Sequence, residues 1–264
     1  MLRALLVSLM LVCVSQAAFA SSIELISLLD TQGQGNPDLL IGATDEQKAQ
    51  YLPDGKLLSQ ILAFYVKVSG RGILFDTGLG DGHVVNELAK NEIKASDVDT
   101  ILITHLHPDH FGGLLTPEGK KAFPNAKVYV GRIERDYWEN ALKNENVINA
   151  LKSYDVQEFE FDDELFGSVK AIEAAGHTPG HTVFEVNADD EKLLIVGDIV
   201  HFIQIQFPLP EISVRYDTDP DKARESRIKI LDYAATNQIP IAGMHITPPG
   251  TCRVQKVGTG FVKR

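Results

Sequence analysis

The sequence of 264 residues has few cysteines and few basic side chains. Of its two cysteines only Cys252 lies outside the first 20 residues, so no intrachain disulfide can form once those residues are removed. The 25 Lys and Arg residues face 36 Asp and Glu residues, a net charge of −11. Because an acidic chain repels a phosphate backbone, we expect no nucleic-acid partner.

Long apolar runs are also absent after the N-terminus, which argues against a membrane span. The first 20 residues place "ALLVSLMLVCV" after Arg3 and before the small residues "AFA", the pattern of a secretory signal peptide. We expect cleavage near Ala20 and one exported domain, 21–264, in the periplasm or outside the cell. We expect Cys252 to be a partly buried thiol, with pairing between chains as the alternative.

The apolar patterns predict two groups of strands with helices between and after them. "QILAFYVKV" and "RGILFD" predict a hairpin, and "TILITH", "KVYV", "SVKAIEA", "TVFEV", "KLLIVGD" and "IPIAGMH" predict further strands. Helices are predicted at about 83–91, 132–152 and 220–236, the last with Asp219 as its cap and Pro220 in its first turn. "DTQGQGNPD" reads as a loop. The best fit is a core of two sheets with helices outside.

Histidines and a carboxylate crowd the segment "THLHPDHFGG", just past a predicted strand. His105, His107, Asp109 and His110 fall within six positions. Imidazole and carboxylate are the ligands that zinc and similar divalent ions prefer. The two-residue period of an extended chain points His105 and His107 the same way, and a turn at Pro108 can bring the other two round. The segment predicts a site for one metal ion or two.

Other segments offer further ligands, each weak when taken alone. "GHTPGHT" supplies His177 and His181, "IVGDIVH" supplies Asp198 and His201, and "IAGMHITPPG" supplies His245. All follow predicted strands, as does Asp76 in "FDTG". Loops at strand ends are where a rigid scaffold displays functional side chains.

Together these segments resemble the metallo-β-lactamase superfamily, from about residue 24 to the end. Its "HxHxDH" signature stands here as "HLHPDH", with "FDTG", "GHT", "GD" and a final histidine in the family's order. The resemblance implies an αββα sandwich of two mixed β-sheets with helices on both outer faces. It also implies two divalent ions, zinc foremost: one on His105, His107 and His177, one on Asp109, His110 and His245, with Asp198 bridging them. His181 and Asp76 then support the ligands without binding metal.

A closer resemblance joins the chain to the exported branch that is similar to methyl parathion hydrolase and to quorum-quenching lactonases. It rests on "AFPNAKVYVGRIERDYW", "AAGHTPGHTVFEV", "GDIVHFIQIQFPLPEISVRYDTD" and "GMHITPPGTCRVQKVGTGF". It implies a metal-bridging hydroxide that opens a lactone or cleaves an ester, of the N-acyl homoserine lactone type, and a possible homodimer. The alternative is an organophosphate triesterase. A β-lactamase and a non-catalytic metal-binding protein are further alternatives.

Four residues are candidates for roles beside the metals. Asp109 and His201 are the candidate catalytic side chains, His201 because the related lactonases place a proton-donating tyrosine at about that position. The alternative for His201 is a histidine hydrogen-bonded in the pocket rim. Trp138 and Phe207 are the candidate pocket residues. The alternatives are a core position for Trp138 and, for the apolar segment that contains Phe207, an edge strand covered by the last helix.

Overall fold

The structure is a computed structural model that describes residues 22–264, so the predicted signal peptide lies outside the described residues. None of the helices in this part of the chain is long and apolar enough to cross a membrane. The helices are α1 (Asp45–Tyr51), α2 (His83–Lys90), α3 (Pro108–Phe111), α4 (Arg132–Asp136), α5 (Glu145–Lys152), α6 (Ile203–Gln206) and α7 (Pro220–Asn237). The strands are β1 (Ile23–Gly35), β2 (Leu40–Ile41), β3 (Leu57–Val68), β4 (Arg71–Phe75), β5 (Thr100–Leu102), β6 (Lys127–Gly131), β7 (Asp155–Phe159), β8 (Glu164–Leu165), β9 (Val169–Glu173), β10 (Thr182–Ala188), β11 (Glu191–Ile195), β12 (Ser213–Val214), β13 (Ile241–Ala242), β14 (Thr251–Cys252), β15 (Val254–Val257) and β16 (Gly260–Lys263).

Two six-stranded mixed sheets form the centre of the fold. The first has the order β1-β3-β4-β5-β6-β7, in which the predicted hairpin β3-β4 is antiparallel and the strands from β4 to β7 are parallel. The second has the order β14-β13-β11-β10-β9-β8 and is antiparallel except between β11 and β13. Two small two-stranded sheets, β2-β12 and β15-β16, lie outside them.

The strands bury apolar side chains on both faces, and this produces four layers. Phe75 and Phe184 meet between the two sheets with their ring centroids 5.5 Å apart. Leu74, one residue before Phe75, points the opposite way and packs with Val147 of α5, as the two-residue period of a strand requires. On the far side Leu194 packs with Leu231 of α7. The αββα sandwich is therefore confirmed.

Two predicted elements need correction. The predicted loop "DTQGQGNPD" is in large part strand: β1 runs to Gly35 and pairs with the whole of β3, with a register shift between Leu29 and Thr31. Polar residues and glycines are tolerated there because β1 is an edge strand. The predicted helix at 132–152 is interrupted by a π-helical turn, Tyr137–Ala141, and by Lys143 at φ 52°. Asn144 then starts α5 by accepting hydrogen bonds from the next turn.

The final long helix agrees with its prediction. Asp219 Oδ1 accepts a hydrogen bond from the backbone N–H of Lys222 at 3.1 Å, and Pro220 occupies the first turn. α7 covers the outer face of the second sheet between β11 and β13. It thereby fixes the two parallel strands whose carboxyl ends carry Asp198 and His245.

Candidate metal centre

The ends of strands from both sheets meet at one edge of the sandwich. β5 leads into His105 and His107 and then into α3, which carries Asp109 and His110. From the second sheet, β9, β11 and β13 lead into His177, Asp198 and His245. The backbone N–H of Thr182 donates to Thr104 O at 3.0 Å and joins the two sheets at this edge. The structure thus brings together all seven predicted metal ligands.

Three imidazoles form the first group. Nε2 of His105 lies 3.0 Å from Nδ1 of His107 and 3.1 Å from Nε2 of His177, and the last two atoms are 2.9 Å apart. Asp198 Oδ2 completes the group, 3.2 Å from His177 Nε2 and 3.6 Å from His105 Nε2. Three nitrogens and one oxygen around a common point match the tetrahedral ligand set of zinc.

Asp109, His110 and His245 form the second group. Asp109 Oδ2 lies 3.6 Å from His110 Nε2 and 3.4 Å from His245 Nε2. Asp198 reaches this group as well: its Oδ1 is 3.1 Å from His110 Nε2 and its Oδ2 is 3.1 Å from His245 Nε2. The carboxylate of Asp198 therefore stands between the two groups, where a bridging ligand would lie.

Buried polar atoms without partners test whether metal ions fit these groups. His110 Nε2 and Asp198 Oδ1 are buried, face each other and have no hydrogen-bond partner among the described residues. A buried polar atom left unsatisfied is costly, and a bound cation would satisfy both atoms at once. The donor set is also the right one, since imidazole nitrogen and carboxylate oxygen both suit divalent transition metals. The residues present fit two divalent ions.

Hydrogen bonds from the far side of the rings fix which nitrogen faces the centre. His177 Nδ1 donates to Asp217 Oδ1 at 2.9 Å, and His245 Nδ1 donates to the backbone oxygen of Gln60 at 2.6 Å. His110 Nδ1 donates to Asp76 Oδ2 at 2.7 Å. Because the proton is held on Nδ1, each Nε2 presents a lone pair to the centre, which is how ligating histidines are oriented in metal sites.

Asp76 shapes the main ligand loop in a second way. Its Oδ1 accepts from the backbone N–H of Thr104 and its Oδ2 accepts from the Thr104 hydroxyl, both at 2.8 Å. His105 Nδ1 lies 3.1 Å from that hydroxyl oxygen, which accepts its proton. Asp76 is fully buried, and burial raises its pKa, although His110 and these hydrogen bonds oppose the rise. The structure places Asp76 behind the ligands, as the family resemblance implied.

The electrostatics of the centre divide its ligand histidines into two sets. Burial, reinforced by neighbouring imidazoles, lowers the pKa of His107 to about 3 and that of His105 well below its usual value. Burial acts in the same direction on His177, His110 and His245, but Asp198 and other carboxylates outweigh it, so the pKa of His177 is raised to about 9 and those of His110 and His245 are raised as well. Burial opposes ionisation of Asp198, but the histidines around it outweigh that effect and hold its pKa well below the usual range. Neutral imidazoles and an ionised carboxylate are the forms that bind metal, so metal binding at the second set would release protons.

His181 differs from the six other histidines around the centre in what its ring nitrogens contact. Burial lowers its pKa to about 3, and its two ring nitrogens contact the backbone of Ala174 and Asp198. Neither nitrogen is left to bind a metal ion. The structure brings His177, and not His181, to the first ligand group.

The buried carboxylate of Glu134, which was not among the predicted site residues, connects two ligand loops. Glu134 accepts hydrogen bonds from Leu106 N, Trp138 Nε1, Thr178 Oγ1 and Gly180 N at 2.7 to 3.0 Å. Burial raises its pKa, and the four donors oppose the rise. The only signal in the sequence is the four-residue spacing of Glu134 and Trp138 on one helical stretch. Asp217 and Gln60 were also missed, because only the fold brings them to the ligands.

Trp138 therefore has a different position from the predicted one. Its ring packs edge-on against His107, with centroids 5.5 Å apart, and its indole N–H is bound to Glu134. It is 8 % exposed and lies in the core cluster under the first sheet rather than in the cavity wall. The core alternative agrees with the structure.

A cavity of about 540 Å³ opens beside the centre. Asp109, Asp198, His107, His201 and His245 reach it from the metal side. Its remaining walls are formed by Gln34, Gly35, Asn36, Leu39, Ser59, Ile61, Leu79, Pro108, Phe202 and Tyr216. None of these described wall residues is a lysine or an arginine.

The segment after Asp198 turns one of its phenylalanines to the cavity and the other away from it. Gln206 Oε1 accepts hydrogen bonds from the backbone N–H groups of His201 and Phe202 and tightens the turn into α6. Phe202 then lines the cavity, whereas Phe207, 2 % exposed, packs in the core cluster under α7. The structure does not bring the predicted pocket residue Phe207 to the cavity, because the short helix α6 turns the chain after Phe202 and directs Phe207 into the core.

His201 lies at the floor of the cavity. Its Nε2 is 3.0 Å from Asp198 Oδ2, and its ring stacks on that of His245 with centroids 4.8 Å apart. Its Nδ1 is buried and has no hydrogen-bond partner among the described residues. His201 is not among the seven predicted ligands, but it lines the cavity and contacts the carboxylate of Asp198.

The family model of the metallo-beta-lactamase superfamily matches residues 58–240. The chain belongs to this superfamily. The match spans the ligand loops from Asp76 to Asp198, and His245 follows it in the same edge of the fold.

Two solved structures and one curated relative are among the proteins that are similar to this chain. A dizinc quorum-quenching lactonase, AidC, solved with the product N-hexanoyl-L-homoserine, has a TM-score of 0.83 and 28 % identity, with 92 % of this chain and 94 % of that chain covered. A hydrolase of the beta-lactamase superfamily, AbOPH, has the same TM-score and coverage at 30 % identity. The N-acyl homoserine lactonase of Bacillus thuringiensis is 27 % identical over 179 residues, 66 % of this chain and 66 % of that protein.

The curated relatives are matched over only part of their length. One relative, an exodeoxyribonuclease, aligns with this chain over 49 % of its own length, and the N-acyl homoserine lactonase aligns over 66 % of its own length. The relatives and structural neighbours include metal-dependent lactonases and other hydrolases. The proteins similar to this chain include a dizinc lactonase and an N-acyl homoserine lactonase, and the two ligand groups described above are suited to two divalent ions.

Proposed function

We propose that this protein is an exported zinc-dependent hydrolase that opens the ring of N-acyl homoserine lactones or cleaves similar uncharged esters. The similarity to a dizinc lactonase with a bound product supports the substrate class. The signal-peptide pattern of the first 20 residues supports a location in the periplasm or outside the cell. Zinc is the proposed metal because the first ligand group offers three imidazoles and one carboxylate.

The charge of the cavity wall is the observation that carries the proposal. The described residues around the cavity include Asp109 and Asp198 but no lysine or arginine. A substrate that carries a carboxylate or a phosphodiester would have the metal ions as its counter-charge but no basic side chain on the wall to orient its anionic group. A lactone is uncharged, and its acyl chain can pack against Leu39, Ile61 and Phe202.

The ligand groups, the apolar wall and His201 have different roles in ester cleavage. Two divalent ions held by the two ligand groups would lower the pKa of a water molecule and polarise the substrate carbonyl. Asp109 and Asp198 hold negative charge beside the reacting centre, and the apolar wall excludes bulk water. His201 lines the cavity, with its Nε2 3.0 Å from Asp198 Oδ2, and we assign it the delivery of a proton to the leaving alkoxide.

A panel assay tests the substrate class. Mature protein reconstituted with zinc would be given N-acyl homoserine lactones of several chain lengths, an aryl ester, an uncharged phosphotriester, a cephalosporin and single-stranded DNA. We expect turnover of the uncharged substrates, with the lactones hydrolysed fastest. Faster turnover of the cephalosporin or of DNA than of any lactone would overturn the proposal.

An organophosphate triesterase is the second candidate. A phosphotriester is also uncharged, so the absence of lysine and arginine from the described cavity wall favours it as much as a lactone. The two differ in the apolar group that must be accommodated, an acyl chain or an aryl leaving group. A lactone rate that does not change with chain length, together with a faster phosphotriester rate, would favour this candidate.

A further inference from the structure

Glu134 lies at the start of the helical segment that follows β6, and its carboxylate is buried away from solvent. The residue is 1 % exposed. Each carboxylate oxygen accepts two hydrogen bonds, and the four donors are a hydroxyl, an indole N–H and two backbone N–H groups. An ionised carboxylate accepts hydrogen bonds and donates none, so it matches a site that offers four neutral donors.

The two oxygens bind different ligand loops. Oε1 accepts from the backbone N–H of Leu106 at 2.8 Å, and Leu106 stands between His105 and His107. Oε2 accepts from the Thr178 hydroxyl at 2.7 Å and from Gly180 N at 3.0 Å, just after His177. One side chain therefore connects the backbone segments that carry all three imidazoles of the first ligand group.

The packing around Glu134 leaves little room for the loops to move independently. A Cβ added to Gly180 would lie 2.3 Å from the backbone nitrogen of Glu134, so this loop runs directly against α4. On the other side Trp138 binds the same carboxylate and packs its ring edge against His107. A shift of α4 would move both loops together.

The second ligand group has supports of its own. Asp76 binds His110, the backbone N–H and hydroxyl of Thr77 donate to His110 O, and Gln60 binds His245. None of these contacts includes Glu134. A change at Glu134 should therefore affect the two groups unequally.

We propose that Glu134 is a positioning residue that sets the spacing of the two ligand loops and so controls the affinity of the first ligand group, selectively, for its metal ion. The inference rests on the proposed dinuclear function. Residues that support metal ligands without touching the metal typically change metal affinity by about 10- to 100-fold when they are replaced.

The substitution Glu134→Gln tests this with almost no change in volume. One of the two oxygen positions must then hold an NH₂ group, and each position faces a backbone N–H, from Leu106 or from Gly180. Neither orientation of the amide avoids placing one donor against another. The substitution therefore forces one of the loops away from α4.

The measurement is zinc release to a chelator of graded strength, followed by a zinc-sensitive dye. The parent protein should hold two ions, and in Glu134→Gln one ion should be released at about 10- to 100-fold lower chelator strength while the other is retained as in the parent. His245→Ala removes one ligand of the second group. In the double variant that combines it with Glu134→Gln, the ion that remains in the first group should be released at the same low chelator strength as in Glu134→Gln alone. Thr178→Val, which removes one of the four donors, should show the same selectivity with a smaller effect.

The control is Tyr154→Phe. This removes a buried hydroxyl that donates to Leu114 O and accepts from Phe123 N, and that has no hydrogen bond to Glu134 or to a metal ligand. It should destabilise the fold without changing either release step. A release curve for Glu134→Gln and Thr178→Val that matches the parent, or a loss of both ions in one step, would overturn the inference. A parent protein that holds no more than one ion would overturn the dinuclear site on which it rests.

Discussion

His181 Nε2 accepts a hydrogen bond from the backbone N–H of Asp198 at 3.0 Å, while its Nδ1 donates to Ala174 O at 3.2 Å. The imidazole thus holds the loop that carries the bridging carboxylate and has no free nitrogen. We expect His181→Ala to retain two ions and to lose about 1 to 3 kcal/mol of unfolding free energy, because a buried N–H is left without its partner. His177→Ala should lose at least one ion.

Elemental analysis of both variants, with urea unfolding, checks this prediction. The imidazole packs directly on Gly197, since a Cβ there would lie 2.5 Å from Nε2, so His181→Ala leaves a space at this contact. A zinc-depleted His181→Ala beside a fully loaded His177→Ala would show that the two histidines have been assigned the wrong way round.

Removal of the metal should destabilise the folded protein. Ring nitrogens of His105, His107 and His177 lie within 3.1 Å of one another, and buried atoms of His110 and Asp198 have no hydrogen-bond partner among the described residues, so bound cations would satisfy groups that the protein itself does not. Ions present at about a thousand times their dissociation constant would add about 4 kcal/mol per site. Thermal unfolding before and after dialysis against a chelator measures the effect, and added zinc should restore the original Tm. An unchanged Tm would mean that the centre is held together without metal.

The ligands were predictable from the sequence because they cluster in it. His105, His107, Asp109 and His110 are adjacent in the chain, and His177, Asp198 and His245 each follow an apolar strand. Strand ends meet at one edge of a sheet, so the local pattern indicated the candidates, and the resemblance to the superfamily assigned them to one site. The hairpin β3-β4 and the cap of α7 were predictable from the local pattern.

The supports of the ligands could not be predicted in this way. Glu134, Asp217 and Gln60 reach the centre from elements far from the histidines they hold or orient. Apart from the four-residue spacing of Glu134 and Trp138, nothing in their local sequence marks them. The end of β1 was missed because its glycines and polar residues resemble a loop, and only pairing with β3 makes that segment extended. These contacts depend on tertiary structure alone.

Cys252 should be unreactive in the native protein. Its thiol is buried, and burial raises its pKa to about 11. At pH 8 a thiol with that pKa is about 0.1 % thiolate, the reactive form. We expect iodoacetamide to label Cys252 at least 100-fold more slowly in native protein than in urea, as read by mass spectrometry of the peptide. Because the unfolded thiol ionises first, this group also makes stability fall as the pH rises above about 8.5. Rapid labelling of native protein would contradict the buried thiol.

The two phenylalanines around α6 should have separable effects. Phe202 lines the cavity and is in contact distance of Gly35, where a Cβ would lie 2.9 Å from its ring, whereas Phe207 packs under α7. Phe207→Ala should therefore cost about 3 to 5 kcal/mol of stability and leave the preference for acyl chain length unchanged.

Phe202→Ala should instead change that preference. Each buried methylene contributes up to about 0.8 kcal/mol, or roughly fourfold in affinity, as long as an apolar wall receives it. If Phe202 forms that wall, KM for N-acyl homoserine lactones should fall with each added methylene in the parent and in Phe207→Ala, and stay nearly constant in Phe202→Ala. Hydrolysis of a short aryl ester should change much less, since the metal ligands are untouched. Equal chain-length profiles in Phe202→Ala and the parent would show that the acyl chain lies elsewhere in the cavity.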